Sequence, residues 1–159
     1  MTAMPVTVLA TKLHIPAPLP RAVPRERLLT QLGRADGRRL VLVSAPAGFG
    51  KSSLLSAWVA ATGQRVAWLS LDADEGDPVR FLLYVLAALR TVEPDLASGV
   101  WAALQSLQPP PLDTLVTALL NELARMTERV CLVLDDYHVL DSIGVDEVVT
   151  ALLENLPPS

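Results

Sequence analysis

One segment of the chain has the residue types and the spacing needed to bind phosphate. Residues 45–52 read APAGFGKS, which places two glycines, a lysine and a serine just ahead of an apolar helical stretch. Gly48 and Gly50 can adopt positive φ, so the backbone N–H groups around them can turn toward an anion. Lys51 can reach the β- and γ-phosphates of a nucleotide, and the Ser52 hydroxyl can ligate Mg²⁺. The segment therefore predicts binding of ATP or ADP together with Mg²⁺.

The match to the phosphate-loop pattern G-x-x-x-x-G-K-[ST] departs at one position. Ala45 stands where the pattern has its first glycine. The alternative is an ordinary glycine-containing turn between a strand and a helix. We favour the phosphate loop because an apolar run at residues 40–44 precedes it and a helical pattern follows it, which is the context that such a loop requires.

A second candidate site lies at the end of another apolar run. Residues 132–136 read LVLDD, so two carboxylates follow a short apolar stretch. Asp135 matches the acid of a Walker B strand, which holds Mg²⁺ directly or through water. Asp136 stands where many such ATPases have a glutamate as the base for the attacking water. The alternative is an Asp-Asp turn leaving a strand, but a phosphate loop and a strand-end acid need each other around one Mg²⁺.

Strands and helices alternate along the sequence. Short continuous apolar runs at residues 40–44, 66–71 and 130–134 predict strands covered on both faces, as in a parallel sheet. Helical patterns lie at residues 24–32, 52–62, 78–90, 95–107, 112–126 and 145–156. This alternation predicts an α/β domain, with the acid of the second candidate site at the carboxyl edge of the sheet, where ligands bind.

Composition and charge exclude several classes of protein. The chain has 159 residues, of which 51% are hydrophobic and 19% charged, as is typical of one folded domain. The single cysteine, Cys131, excludes an intramolecular disulfide and a cysteine-based zinc cluster. The net charge of −4 does not suggest nucleic-acid binding by bulk charge. We find no apolar stretch of spanning length and no signal-peptide pattern, so we expect a cytoplasmic protein without membrane contact.

Acidic residues also cluster ahead of the helical pattern at residues 78–90. They are Asp72, Asp74, Glu75 and Asp77. A metal site is one interpretation, but we favour a solvated loop that ends in a helix cap. His138 is likewise expected to be exposed or hydrogen-bonded rather than bound to phosphate.

Several segments together resemble one protein family, the large ATP-binding LuxR-type transcriptional regulators. The segments are, in order, TKLHIPAPLPRAVPRERLL, LVSAPAGFGKSSLLSAW, VAWLSLDADEGDPVRFLLYVLAAL and CLVLDDYHVL. The ATPase domain of that family belongs to the signal-transduction ATPases called STAND. The resemblance covers nearly the whole chain and implies a P-loop NTPase of the ASCE/STAND type, a three-layer sandwich around a parallel sheet.

The resemblance also implies which residues hold the nucleotide and the metal ion. Arg25 lies in VPRERLL, a stretch similar to the one beside the adenine in this superfamily. Ser52 and Asp135 would hold Mg²⁺, while Lys51 and Asp136 would take the catalytic roles. The implied cofactor-binding residues are Arg25, Ala47, Gly48, Phe49, Gly50, Lys51, Ser52 and Ser53.

The family pattern divides the chain into an extended leader at residues 1–22 and an incomplete P-loop ATPase domain, NB-ARC- or AAA-like, at residues 23–159. Proteins of the family continue with a sensor strand, a winged-helix lid, a helical-repeat region and a DNA-binding helix-turn-helix. We therefore interpret the chain as truncated before the sensor strand. In this fold that strand lies between the segments at residues 40–44 and 130–134, so we expect an open slot between them.

The function implied by the resemblance is a nucleotide-switch module of a LuxR-type transcriptional regulator, with weak ATPase activity at most. ATP would favour a self-associating form and ADP a resting form, and DNA would be bound only through the C-terminal domain. Two alternatives stay open. One is a free-standing P-loop enzyme such as a small-molecule kinase, and the other is a non-functional gene fragment.

Overall fold

A computed structural model of the chain describes residues 7–20, 23, 25–35 and 37–156. Over this part of the chain two parallel strands lie among α-helices, which confirms the predicted α/β class. The helices are α1 (Glu26–Gly33), α2 (Lys51–Thr62), α3 (Pro78–Arg90), α4 (Ser98–Leu104), α5 (Leu112–Leu123) and α6 (Ile143–Asn155), and the strands are β1 (Val66–Ser70) and β2 (Cys131–Asp135). Short 3-10 helices lie at Ala10–Leu13, Ala73–Gly76 and Tyr137–Val139.

The two strands form a small parallel sheet. Val66 pairs with Cys131 at one end and Ser70 with Asp135 at the other, so both carboxyl ends lie at the same edge. Ala67, Trp68 and Leu69 on β1 are fully buried. A strand buried on both faces needs a continuous apolar run, as the sequence of β1 predicts.

Helix α3 has the bounds that the sequence predicts, because its start is signalled twice. Asp77 caps the helix by accepting a hydrogen bond from the Arg80 N–H, and Pro78 takes the first helical position. Every residue from Phe81 to Leu89 is buried, so the helix forms the centre of the core. The prediction of a cap at the end of the acidic loop is thus confirmed at Asp77.

The remaining helices are present where they are predicted, with altered bounds: α1, α4 and α5 are shorter than predicted, whereas α2 and α6 are slightly longer. The predicted helix at residues 95–107 is reduced to α4, which begins after Ala97 in a left-handed conformation with φ of 48°. Helix α6 begins at a Ser142 cap and packs closely on α3, since a Cβ on Gly144 would lie 3.2 Å from Pro78 Cγ. Helix α1 begins at Glu26, and the predicted first residue, Pro24, lies outside the described residues.

The predicted strand at residues 40–44 is wrong. These residues have no regular secondary structure, and the side chains of Leu40, Val41 and Leu42 are 61%, 45% and 82% exposed. Within the described residues, no backbone hydrogen bond joins this segment to β2. An apolar run fits a strand, but a strand also needs a hydrogen-bonding neighbour, which a local pattern cannot supply. The open slot between this segment and β2 stays a prediction.

The leader is fastened to the core by one buried ion pair. Lys12 Nζ lies 2.6 Å from both carboxylate oxygens of Glu75 and 2.7 Å from Asp72 Oδ2. The Glu75 side chain is completely buried, and its other hydrogen bond comes from the Asp72 N–H. Nearby, the Leu9 N–H donates to the hydroxyl of buried Tyr84. The predicted extended leader therefore contains a 3-10 helix that docks against β1.

We call the contact of Lys12 with Asp72 and Glu75 the leader clasp. This contact shifts the pKa values of Lys12 and Asp72. Burial works against the Lys12 ammonium, but its hydrogen bonds to Asp72 and Glu75 prevail and raise the Lys12 pKa. The same contact with Lys12 lowers the pKa of Asp72. The stabilisation from Lys12 is present below its ordinary pKa and is lost only as the pH rises through the raised value. The stabilisation from Asp72 is lost as the pH falls through its lowered value, so the clasp is strongest near neutrality.

The substitution Lys12→Met tests the energetic role of the clasp. It removes the closer cation of the buried Glu75 carboxylate and leaves only the Arg80 guanidinium, whose Nε lies 3.7 Å from Glu75 Oε1. Removing one partner of a buried ion pair typically costs about 3 kcal/mol. We expect urea denaturation at neutral pH to show a free energy of unfolding lower by about this amount. Arg27→Met, at an exposed position on α1, serves as the control. Equal stability of the two variants would contradict the structural role assigned to Lys12.

Candidate functional site

The backbone of residues 45–52 turns into a helix as a phosphate loop does, although residues 40–44 do not form the strand expected before it. Gly48 and Gly50 adopt positive φ of 81° and 73°, as their positions in the motif predict. Gly50 is the N-cap of α2, so Lys51 is the first residue of the helix. The free N–H groups and the positive end of the helix dipole at this point favour an anion.

The Lys51 ammonium closes the loop on itself. Its Nζ donates to the carbonyl oxygens of Ala45 at 2.9 Å and Pro46 at 3.3 Å. The Phe49 N–H also donates to the Pro46 carbonyl, at 3.4 Å. Sequence reasoning missed these carbonyls because any residue type can supply one. The lysine is thereby held close to the loop by these two carbonyls.

The loop and the acidic strand end meet through one hydrogen bond. Ser52 Oγ donates to Asp135 Oδ1 at 3.0 Å, although the two residues are 83 positions apart in the sequence. Asp135 is only 6% exposed, and the same carboxylate oxygen accepts the N–H of Asp136. The structure thus brings together the two residues predicted to hold Mg²⁺. A hydroxyl and a carboxylate are oxygen donors of the kind that Mg²⁺ prefers.

The Asp135 carboxylate carries a charge that its surroundings balance poorly. Burial and the neighbouring charge of Asp136 raise its pKa, against the hydrogen bonds from Ser52 and the Asp136 N–H and the weak attraction of Lys51. A divalent cation would neutralise this charge, so the residues present fit the ion. Elsewhere, the described residues contain no cluster of three or more His, Cys, Asp or Glu side chains arranged to hold a metal ion.

Asp136 follows in a left-handed conformation, with φ of 60°. Aspartate and asparagine tolerate this conformation better than other non-glycine residues. The turn separates the two carboxylates, so Asp135 faces Ser52 while the Asp136 side chain is about half exposed. His138 is exposed, with Nδ1 3.9 Å from Asp136 Oδ1. Asp136 is therefore open to water at the mouth of the site, whereas Asp135 is not.

Arg25 lies against the phosphate loop. Its Nη1 donates to the Phe49 carbonyl oxygen at 2.7 Å, a contact that the sequence alone did not reveal. Of the other predicted nucleotide-binding residues, Ala47 and Phe49 are exposed on the loop and Ser53 lies in the first turn of α2. The candidate site is therefore assembled from α1, the loop, α2 and the end of β2.

The acidic loop after β1 is occupied by internal contacts. Glu75 is bound to Lys12, and Asp72 accepts the Asp74 N–H as the cap of the 3-10 helix at Ala73–Gly76. This arrangement supports the interpretation as a capped loop, although Glu75 is buried rather than solvated. Separately, no helix in the described part of the chain is both long enough and apolar enough to cross a membrane.

Comparison of the chain with known protein families identifies the class of protein to which this fold and site belong. The profile of the AAA ATPase domain matches residues 21–159. The chain therefore belongs to the AAA ATPase domain family. The match includes the loop at residues 45–52 and the strand-end acids.

Individual relatives narrow this class further. The chain is 34% identical to the HTH-type transcriptional regulator MalT of Klebsiella pneumoniae subsp. pneumoniae over 150 aligned residues. These residues make up 94% of this chain and 16% of that protein. The regulator of the same name from Cronobacter sakazakii matches with the same identity and coverage. The predicted resemblance to a large ATP-binding regulator of the LuxR family is thus confirmed. The chain spans about one sixth of the length of these curated relatives.

The substitution Asp135→Asn tests the cost of the buried charge. Asparagine keeps a carbonyl oxygen for Ser52 but removes the carboxylate, whose raised pKa shows that its ionised form is disfavoured in the folded protein. We expect a higher melting temperature than wild type at pH 7 in the absence of nucleotide. The gain should shrink as the pH falls through the raised pKa, because the wild-type carboxyl group then becomes neutral.

The control for this comparison is Asp141→Asn, at an exposed position. We expect its melting temperature to follow that of wild type across the same pH range. Calorimetric scans from pH 4 to pH 8 provide the measurement. A lower melting temperature for Asp135→Asn at pH 7 would contradict the assignment of an unbalanced charge.

Proposed function

We propose that the chain is a nucleotide-switch module that binds ATP or ADP with Mg²⁺ within a transcriptional regulator. The observation that carries the proposal is the hydrogen bond from Ser52 to Asp135, which joins a phosphate-type loop to a buried strand-end carboxylate. A loop of this sequence at a helix N-terminus suits phosphate, and the adjacent carboxylate suits the metal ion that accompanies a nucleotide. Membership of the AAA ATPase domain family supports the same conclusion.

In the proposed complex, each residue of the site has its own task. The N–H groups from Ala47 to Ser53 would surround the phosphates, for which the Phe49 N–H would give up the Pro46 carbonyl. Lys51 would leave the Ala45 and Pro46 carbonyls to neutralise phosphate charge. Ser52 and Asp135 would hold the Mg²⁺, which would supply charge neutralisation at the phosphate oxygens. Asp136 accepts a proton from the attacking water, for which its exposed position is suited.

The proposed fold is that of a P-loop NTPase of the STAND type, a three-layer sandwich in which residues 1–22 are a leader and residues 23–159 belong to the nucleotide-binding domain. The parallel sheet supports it, as does the position of Asp135 at the same edge as the loop. In this fold a further strand fills the space beside the exposed segment at residues 40–44.

The proposed biological role follows from the relatives, which bear the name of a transcriptional regulator with a helix-turn-helix. Bound ATP would favour self-association and bound ADP a resting state. Contact with DNA would be made by a different part of such a protein. The alternative function is that of a free-standing small-molecule kinase. Incubating the chain with ATP and small-molecule phosphate acceptors, and measuring phosphoryl transfer to them, distinguishes the two.

The substitution Lys51→Ala tests nucleotide binding directly. The ammonium is a point charge aimed at the β- and γ-phosphates, so its removal should abolish binding at micromolar nucleotide. Titration calorimetry of wild type with ATP and Mg²⁺ should give a saturable signal, and the variant should give none. Arg27→Ala is the control and should bind as wild type does. Equal affinity of wild type and Lys51→Ala would remove the loop from the site.

Slow hydrolysis is the expected behaviour of the chain by itself. Among the described residues, Arg25 is the arginine that contacts the loop, and it does so through a backbone carbonyl. An arginine aimed at the transferring phosphate is worth ~10³–10⁵ in rate. We expect turnover of radiolabelled ATP to be slow, and slower still in Asp136→Asn, whose left-handed turn asparagine also tolerates. Rapid turnover that persists in Asp136→Asn would exclude this residue as the base.

A further inference from the structure

The contact between Arg25 and the loop involves two consecutive loop residues. Arg25 is the N-cap of α1, and its guanidinium donates from Nη1 to the Phe49 carbonyl oxygen at 2.7 Å. Its Nη2 lies 3.3 Å from the point where a Cβ on Gly50 would stand. The guanidinium therefore covers the peptide group that joins Phe49 to Gly50, directly ahead of Lys51.

Holding this carbonyl also fixes the neighbouring N–H. A trans peptide group is planar, with its C=O and N–H bonds pointing in opposite directions. Because Arg25 binds the Phe49 oxygen, the Gly50 N–H is directed to the opposite side of the same peptide plane. Gly50 at φ of 73° then passes the chain into α2. The Arg25 side chain, by binding the Phe49 carbonyl, thus sets the direction of the Gly50 N–H on the opposite side of the peptide plane.

We infer that Arg25 is a positioning residue for the phosphate loop and acts through the Phe49–Gly50 peptide rather than on the adenine. This inference rests on the proposed function, since it assumes that the loop binds phosphate. Two contacts support it, namely that of Arg25 Nη1 with the Phe49 carbonyl and that of Arg25 Nη2 with Gly50. The position of Arg25 beside the adenine was implied only by the resemblance, whereas the contact with the loop carbonyl is a feature of this chain.

The packing around Arg25 suits such a role. Helix α1, which carries Arg25 at its start, lies against α2, which begins at the loop. On the other side, the segment at residues 40–44 enters the loop without a strand partner among the described residues. The loop is therefore held from α1 rather than from a paired strand. The Lys51 contacts are no substitute, because Lys51 must leave them to reach a phosphate.

The first test compares a ligand that has a base with one that has none. Calorimetry measures the affinity of wild type, Arg25→Ala and Arg25→Lys for MgATP and for magnesium tripolyphosphate. A residue that positions the loop should affect both ligands equally, and we expect Arg25→Ala to weaken each by about tenfold, as for loss of one charge-assisted hydrogen bond. Arg25→Lys keeps a cationic donor for the carbonyl and should recover part of the loss for both ligands.

The second test examines the protein without nucleotide. Hydrogen exchange measured by mass spectrometry should be faster in Arg25→Ala than in wild type over a peptide covering residues 45–52. An arginine that merely contacts bound phosphate would leave exchange in the empty loop unchanged. Arg27→Ala, which changes an exposed arginine on the same helix, should match wild type in both tests.

The outcomes separate the inference from the proposal beneath it. If Arg25→Ala weakens MgATP but not tripolyphosphate, or leaves exchange in the loop unaltered, the positioning role is overturned while nucleotide binding stands. If wild type binds neither ligand, the proposed function itself fails. Equal weakening for both ligands together with faster exchange in the empty loop supports the role assigned to Arg25.

Discussion

The hydrogen bond between Ser52 and Asp135 is the constraint around which the candidate site is arranged. It joins the first turn of α2 to the end of β2, and it holds a carboxylate that is 6% exposed. A buried carboxylate is costly unless it is paired, and a hydroxyl with one N–H is a weak partner for it. The protein thus keeps an acid at this point at some expense in stability. That loss of stability is consistent with the proposal that a cation binds here together with a nucleotide.

A second buried acid at the same end of the sheet, Glu75, is paired with a cation in a way that Asp135 is not. Glu75 is more deeply buried than Asp135, yet both of its oxygens lie 2.6 Å from Lys12 Nζ. Its charge is balanced within the protein, so it serves to fasten the leader. Asp135 lies beside a lysine as well, but Lys51 is directed to the loop carbonyls instead. The internal balance at Glu75 marks a structural ion pair, whereas the poorer balance at Asp135 supports its proposed role as a metal ligand.

What the sequence could predict follows from the range of the interactions concerned. The bounds of α3 depend on Asp77 and Pro78, which are adjacent to the helix, and the phosphate loop depends on glycines within it. The strand at residues 40–44 was wrongly predicted because pairing depends on a neighbour that its own residues do not specify. The Lys12–Glu75 pair spans 63 positions and the Arg25–Phe49 contact 24, and no local pattern marks either of them. Only the Ser52–Asp135 contact was anticipated across a long separation, because one metal ion would require both residues.

The contacts of the loop would respond differently to the proposed binding of phosphate. The loop is closed by Lys51 on the Ala45 and Pro46 carbonyls, and braced by Arg25 on the Phe49 carbonyl. In the proposed complex, a phosphate would draw Lys51 from its carbonyls and a cation would compete with Ser52 for Asp135. Arg25 binds the Phe49 carbonyl, which points away from the Gly50 N–H of the same peptide, so its contact would remain in that complex. The restraint that persists would then come from α1, which would make the start of that helix part of the proposed site.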